Sequence, residues 1–209
     1  MKRVLLATLL LLAACSAPAA APAPAPSPNS PPPEAPPALG TNGAAVPVLR
    51  WAPCHGSFQC TPATVPLSYR EPRGATITLS VIRLAAGDPA RRLGSLFVNF
   101  GGPGTDGVGE LTRFAARYPP ELRARFDLVS FDPRGIGGSA PISCPGADRL
   151  PPAGSPLRQP DAFFAASAAT GKACAASGAL LTHLSTANVA RDLELLRQAT
   201  GDAALNFYG

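Results

Sequence analysis

The sequence predicts an α/β fold built on a mixed, mostly parallel sheet. Short apolar segments alternate with longer segments of helical periodicity, which is typical of parallel strands joined by crossover helices. One such strand, residues 96–100, runs directly into the glycine turn Gly101-Gly102-Pro103-Gly104. A pair of alternating segments precedes it and predicts an antiparallel hairpin, which would make the sheet mixed.

The N-terminal residues are predicted to lie outside this fold. Residues 1–14 have a basic start, an apolar run too short to span a bilayer and small residues at the end, the layout of a secretory signal peptide. Residues 15–47 consist almost wholly of Ala, Pro, Ser, Asn and Gly, a composition that cannot bury a core. We interpret them as a linker in extended polyproline conformations and place the folded region at residues 48–209.

The folded region begins with the predicted hairpin. Its strands are residues 64–69 and 75–84, and the second alternates Ile77, Leu79 and Val81 with polar residues. After the strand at 96–100 and its glycine turn, residues 110–126 show weak helical character. Residues 126–131 are predicted to form a second short apolar strand.

The last part of the chain is predicted to be mainly helical. Residues 144–177 are a loop and an alanine-rich helix. Ser185 or Thr186 can cap a further helix that has an apolar face and that Gly201 ends. Residues 203–208 are predicted to form the final strand.

Cysteine usage points to an exported protein. Leu12-Ala13-Ala14-Cys15 resembles the lipobox of bacterial lipoproteins, which implies cleavage before Cys15 and a diacylglycerol anchor to the membrane on its thiol. The alternative is a plain signal peptide followed by a coincidental cysteine. Four cysteines remain, and they allow three connectivities: Cys54, Cys60, Cys144 and Cys174. We favour the sequential pairing because each bridge closes a local loop.

Metal and nucleic-acid binding are not indicated. No cysteine pair has CxxC spacing, and neither His55 nor His183 lies in a HExxH pattern, so the sequence predicts no zinc site. We interpret His55 as a loop residue without a catalytic role. The net charge is +5, but the basic residues are scattered rather than clustered, which argues against nucleic-acid binding.

The glycine turn is the first candidate for chemistry. Adjacent glycines leave peptide N–H groups uncovered by side chains, and such groups can stabilise a developing oxyanion. The alternative is a tight turn with no further role.

Three segments together carry a family resemblance. NFGGPG (99–104), FDPRGIGGS (131–139) and the helix-then-strand segment 185–209 occur in this order. They resemble the α/β-hydrolase family of proline iminopeptidases and, more closely, the secreted bacterial tripeptidyl aminopeptidase-like hydrolases. The resemblance implies the N-terminal part of an α/β-hydrolase fold. It also implies a serine hydrolase that needs no cofactor and releases tripeptides or single residues from the N-terminus of a peptide substrate.

The resemblance also implies roles for individual residues. Residues 101–104 match the last four residues of the family's HGGPG loop, in which Gly102 would supply one oxyanion-hole N–H, and Gly101, Pro103 and Gly104 would shape the turn. Phe100 stands where proline iminopeptidases have histidine, which weakens a specific claim for proline release. The family's DxRGxGxS turn is matched by Asp132, Arg134, Gly135, Gly137 and Ser139. We interpret this turn as structural, and Ser139 as no nucleophile because no strand-to-helix elbow surrounds it.

The catalytic triad is expected further along the chain. In this fold the nucleophilic serine lies in G-x-S-x-G between a strand and a helix, and the acid and histidine follow it. Residues 203–208 lead to Gly209, which matches the first position of that elbow. We therefore expect that these 209 residues alone do not hydrolyse peptides.

Two alternatives belong to other classes of protein. Residues 102–107 fit G-x-G-x-x-G, and Asp127 and Asp132 follow at distances that suit a dinucleotide site. Pro103 argues against it, because it removes an N–H from the place where phosphate would bind. The other alternative is a non-catalytic surface lipoprotein that retains a truncated hydrolase fold.

Overall fold

The structure is a computed structural model that describes residues 38–40, 42–102, 104–147 and 156–209. The predicted signal peptide, most of the linker, Cys15 and Pro103 lie outside these residues. Within the described ranges, no helix combines the length and the apolar character needed to cross a membrane.

A six-stranded sheet forms the centre of the fold. Its strands follow the order β1-β2-β3-β5-β4-β6, with β1 at Ala52–Cys54, β2 at Phe58–Pro66, β3 at Thr76–Leu84, β4 at Gly94–Val98, β5 at Phe126–Phe131 and β6 at Asn206–Tyr208. The strands β4, β5 and β6 are parallel, whereas β1, β2, β3 and β5 pair antiparallel in turn. The mixed α/β sheet is confirmed. Parallel pairing does not predominate, because the hairpin and the short β1 form half of the described sheet.

Four α-helices accompany the sheet in the described residues: α1 at Gly107–Phe114, α2 at Pro120–Arg125, α3 at Pro160–Cys174 and α4 at Thr186–Ala199. The helical region expected at 110–126 starts earlier, at Gly107, and is divided before α2, where Pro119 and Pro120 interrupt it. The start of α4 is as predicted, since the Ser185 side chain accepts a hydrogen bond from the N–H of Asn188.

The core lies on both faces of the sheet. On one face, Leu195 and Leu196 of α4 pack against buried residues of the central strands such as Leu79, Val81 and Val129. On the other face, Leu111 of α1 packs in a second cluster with residues that include Ile82 and Leu128. Both faces are therefore apolar and helix-covered, as expected for an α/β architecture.

The folded region begins before residue 48. Ala44 is fully buried, Val46 and Leu49 pack against the α4 side of the core, and Leu39 and Ala45 form an isolated antiparallel bridge. The C-terminal boundary predicted for the linker, residue 47, is therefore too late. Ala44 belongs to the core and Val46 packs against it, although the composition of the segment resembles that of a linker. The strands also differ in extent: β2 begins at Phe58 rather than at residue 64, and β6 is confined to Asn206–Tyr208.

Strand direction determines where the functional loops lie. Since β4, β5 and β6 are parallel and β2 is antiparallel to β3, the C-terminal ends of β2, β4, β5 and β6 share one edge of the sheet. We call this the carboxyl edge. Ligand sites of α/β sheets commonly lie outside this edge.

Candidate active site

The glycine turn follows β4 at the carboxyl edge. The N–H of Asn99 donates to the carbonyl of Tyr208, at 2.9 Å, and so extends the pairing of β4 with β6. The Asn99 side chain then accepts from the N–H of Gly101 at 2.8 Å. The side chain of Asn99 thus fixes the turn. The N–H of Gly101 already donates a hydrogen bond within the turn.

Gly102 adopts a backbone that other residues rarely adopt. Its φ is 127°, and a Cβ there would lie 2.8 Å from Thr105 Oγ1 and 3.0 Å from the backbone nitrogen of Gly104. The residue is exposed, and its N–H donates to no acceptor within the described part of the chain. An uncovered N–H at this edge can bind the oxygen of a polarised carbonyl group.

Two carboxylates fix the start of α1, which follows the turn. Asp106 Oδ2 accepts from the N–H of Gly109 at 2.9 Å and caps the helix. The buried Asp132, which follows β5, accepts from the N–H of Val108 at 2.9 Å and from that of Gly138 at 2.8 Å. Asp132 therefore connects the loop after β5 to the start of α1, the helix that follows the glycine turn.

The loop after β5 has the compact form expected of a structural turn. Gly135 and Gly137 have φ values of 86° and 53°, and a Cβ at Gly137 would overlap the carboxylate of Asp132. Ser139 is fully buried, and its Oγ accepts from the N–H of Ser80 at 2.8 Å. A buried hydroxyl held in this way cannot reach a substrate.

Arg134 contacts more than its own loop. Its fully buried guanidinium forms a bidentate pair with Asp192 of α4, with Nε to Oδ2 at 2.8 Å and Nη2 to Oδ1 at 2.7 Å. The other N–H groups donate to the carbonyls of Pro66, Leu67 and His183. All five donors are thus satisfied, and the side chain connects the loop after β5 to the end of β2 and to α4.

Sequence reasoning missed Asp192 and Tyr69. The Tyr69 hydroxyl donates to Asp192 Oδ1 at 2.7 Å. Burial raises the pKa of Asp192, opposed by the hydrogen bonds and charge of Arg134 and the hydrogen bond of Tyr69. Burial, together with the charge and hydrogen bond of Asp192, also raises the pKa of Tyr69. The available signal was a single carboxylate on the otherwise apolar face of α4.

The geometry does not favour a dinucleotide site. The first N–H groups of α1 already donate to the carboxylates of Asp106 and Asp132, so a phosphate would meet negative charge there. Asp127 lies near the start of β5, at the opposite edge of the sheet from the glycine turn, where it accepts from Arg92 and from the N–H of Ala86.

Two disulfides are present among the described residues, Cys54–Cys60 and Cys144–Cys174. This is the sequential pairing favoured from the sequence. The first bridge closes the hairpin between β1 and β2, and exposed His55 lies in its loop. The second attaches the end of α3 to the segment after the DxRGxGxS turn.

An uncovered glycine N–H in a loop at the carboxyl edge of an α/β sheet can stabilise an oxyanion, as in enzymes that polarise a carbonyl group. No protein-family model matches the chain. Tripeptidyl aminopeptidase of Streptomyces lividans is 36% identical to it over 191 residues, covering 82% of this chain and 35% of that protein. Serine protease Hip1 of Mycobacterium tuberculosis is 34% identical over 180 residues, covering 77% of this chain and 34% of that protein.

Carboxylesterase B of Mycobacterium tuberculosis is a third relative, 32% identical over 191 residues, with 79% of this chain and 36% of that protein covered. The chain belongs to the family of these hydrolases, and the resemblance seen in its sequence is confirmed. It spans about a third of the length of the curated relatives it matches.

Proposed function

We propose that this chain is the N-terminal part of an exported serine hydrolase of the α/β-hydrolase fold that acts as an aminopeptidase. The observation that carries the proposal is the uncovered N–H of Gly102, in a turn whose first residue, Asn99, is hydrogen-bonded to the end of β6. A Cβ at Gly209, directly after β6, would lie 3.5 Å from the carbonyl oxygen of Asn99. A nucleophile on a turn that continues β6 would therefore lie beside the glycine turn.

The proposed reaction uses this proximity. A serine hydroxyl after β6, deprotonated by a histidine, attacks the scissile carbonyl, and the N–H of Gly102 stabilises the oxyanion of the tetrahedral intermediate. The amine then leaves with a proton from the histidine, and water hydrolyses the acyl-enzyme. One such donor accounts for roughly a 10²–10³-fold effect on kcat in a serine protease.

We propose peptides as the substrate class, with cleavage that releases tripeptides or single residues from the N-terminus. The proposal rests on the family and on the name of the Streptomyces relative. Ester hydrolysis is the second candidate, because a carboxylesterase is also among the relatives.

The test compares two proteins, the product of the complete gene and the 209-residue chain. Both are assayed with a tripeptidyl anilide, a prolyl anilide and a small aryl ester, and both are treated with a fluorophosphonate that labels activated serines. We expect turnover and labelling of the longer protein, fastest with the tripeptidyl anilide. Peptide hydrolysis by the 209-residue chain that Ser139→Ala abolishes would contradict the proposal, and ester turnover alone would favour the second candidate.

We further propose that Cys15 carries a lipid that anchors the protein on the outer face of a bacterial membrane. The support is the lipobox-like segment before it. Cys15→Ser is expected to move the protein from the membrane fraction to the soluble fraction and to abolish incorporation of a labelled fatty acid. Unchanged fractionation and labelling of the variant would contradict the anchor.

A further inference from the structure

The hairpin between β1 and β2 brings three metal-ligating side chains together. The Sγ atoms of Cys54 and Cys60 and a ring nitrogen of His55 all lie within 4.8 Å of one another. It is the one group of three or more such residues found among the residues that the structure describes. In the structure the two sulfurs are bonded to each other, so they offer no thiolate.

Strand pairing joins the two cysteines in addition to the disulfide. Ala52 pairs with Cys60 and Cys54 with Phe58 in the β1–β2 ladder. The long β2–β3 ladder then fixes β2, with Cys60 opposite Ile82. After reduction, the backbone would therefore still present both thiols on the same short hairpin.

The backbone conformation of His55 keeps it in this group. Its φ is 43°, in the left-handed region that few residues other than glycine adopt, and Gly56 follows with a φ of 75°. The two form the tight turn that reverses the chain between β1 and β2. Positive φ at both positions is ordinary for a tight hairpin turn, and the turn places the imidazole close to the two cysteines.

The surroundings leave room for an ion. His55 is exposed and the two cysteines are half-buried, so a ligand can enter from solvent. A cavity of about 350 Å³ adjoins the group and is lined in part by His55, Cys60 and Ser80.

We propose that reduction of the Cys54–Cys60 disulfide creates a Cys₂His site for a thiophilic divalent cation such as Zn²⁺. An external dithiol transfers two electrons to the disulfide and becomes a cyclic disulfide itself, which leaves two thiols on the hairpin. The cation displaces one proton from each thiol and forms two bonds to sulfur and one to the imidazole. A water molecule completes the tetrahedral arrangement that Zn²⁺ prefers.

The ligand set favours Zn²⁺ over Mg²⁺ or Ca²⁺. Two thiolates and an imidazole are ligands that Zn²⁺ prefers, whereas the harder cations require oxygen. Formation of the disulfide removes both thiolates, so metal binding and the oxidised hairpin exclude each other. The site is independent of the proposed hydrolase activity, because it lies beside β1, the outermost strand on the side of the sheet opposite to β6.

The test uses Co²⁺ as a spectroscopic substitute for Zn²⁺ in the full chain. A background variant with Cys15→Ser, Cys144→Ser and Cys174→Ser removes the other three thiols, and a phosphine reduces the hairpin. We expect one equivalent of Co²⁺ to produce thiolate-to-cobalt charge-transfer absorption and tetrahedral visible bands, which Zn²⁺ then abolishes by displacement. The oxidised protein should show neither.

The His55→Ala variant distinguishes a site with three protein ligands from one in which the two thiols alone bind the metal. In that variant we expect the Kd for Co²⁺ to rise by about tenfold or more, whereas His183→Ala in the same background should leave it unchanged. Absence of charge-transfer absorption in the reduced protein, equal binding by the oxidised protein, or an unchanged Kd for His55→Ala would each overturn the proposal.

Discussion

At the scale of single residues, Gly102 is the position where backbone conformation and proposed chemistry coincide. Gly102→Ala places a Cβ within 2.8 Å of Thr105 Oγ1 on a backbone with φ of 127°. The turn must shift, and the N–H then no longer points at the oxyanion. We expect kcat of the complete enzyme to fall by about 100-fold, the effect of a displacement of roughly 1 Å at a catalytic group.

Gly101→Ala is the matched control for this prediction. A Cβ at Gly101 would meet no atom within 4 Å, and the N–H of this residue already donates to Asn99. The variant shares the cost of a positive φ, which is 76° here, but not the collision. Similar kcat values for the two variants, or an unchanged kcat in Gly102→Ala, would remove Gly102 from the oxyanion hole.

Tyr69 should make stability fall at alkaline pH. Its pKa is raised in the folded protein, chiefly by burial and then by Asp192, so the folded chain keeps a proton that the unfolded chain loses near pH 10. This contribution to stability is complete below about pH 10 and is lost as the pH rises further.

Tyr69→Phe is therefore expected to flatten the decline in the free energy of unfolding above about pH 10. It should also remove the last step of the absorbance titration of the tyrosines. Denaturant melts between pH 8 and pH 11 measure the slope, with Tyr208→Phe as a control at an exposed ring. A slope that is identical in Tyr69→Phe and in the unmodified chain would show that the pKa of Tyr69 is not raised in the folded protein.

At the scale of elements, the Arg134–Asp192 pair joins α4 to the loop after β5. Removing one partner leaves the other charge buried without compensation, which costs about 3–5 kcal/mol. We expect Asp192→Ala to lower the free energy of unfolding by about this amount in urea denaturation. Arg191→Ala, at an exposed position of the same helix, should change it by less than about 1 kcal/mol.

A double variant tests whether the pair acts as a unit. Arg134→Met combined with Asp192→Leu removes both charges together and leaves none unpaired. It should be more stable than Asp192→Ala, because the single variant retains the unpaired guanidinium. A double variant that loses as much as two independent substitutions would show that the ion pair is not the connection.

The sequence predicted elements best where the pattern is local. The bounds of β5, the cap of α4 and the short Cys54–Cys60 loop follow from neighbouring residues, and the structure agrees with each. It did not predict the Asp132 bond to Val108 or the Arg134 pair with Asp192, because these partners lie 24 and 58 residues apart. Such contacts depend on the order of the strands in the sheet, which the hydrophobic periodicity of the sequence does not predict.

At the scale of the whole molecule, the sheet is protected unequally at its two sides. The short β1 is the outermost strand on one side of the sheet, and β6 is the outermost strand on the other. Among the described residues, β6 pairs only with β4, so its other edge has no partner strand. Leu205, Phe207 and Tyr208 on or beside β6 are large exposed apolar residues. An adjacent apolar groove of about 570 Å³ is lined mainly by Leu96, Phe100, Phe114, Tyr118, Leu122 and Tyr208.

An exposed apolar strand at a sheet edge favours association with another chain. We therefore expect the 209-residue chain, studied by itself, to self-associate as its concentration rises and to bind a hydrophobic dye, as sedimentation and fluorescence would measure. Phe207→Lys places a charge on the edge strand and should shift the chain toward the monomer. Phe164→Lys is the matched control, since Phe164 is also exposed but lies on α3, away from the sheet edge.

The longer protein provides the second comparison. If residues beyond this chain pair with β6 and cover the groove, as the proposed hydrolase fold requires, the product of the complete gene should stay monomeric and bind little dye under the same conditions. A 209-residue chain that is monomeric and melts cooperatively would instead favour the non-catalytic lipoprotein, because its β6 edge would then be stable without further strands.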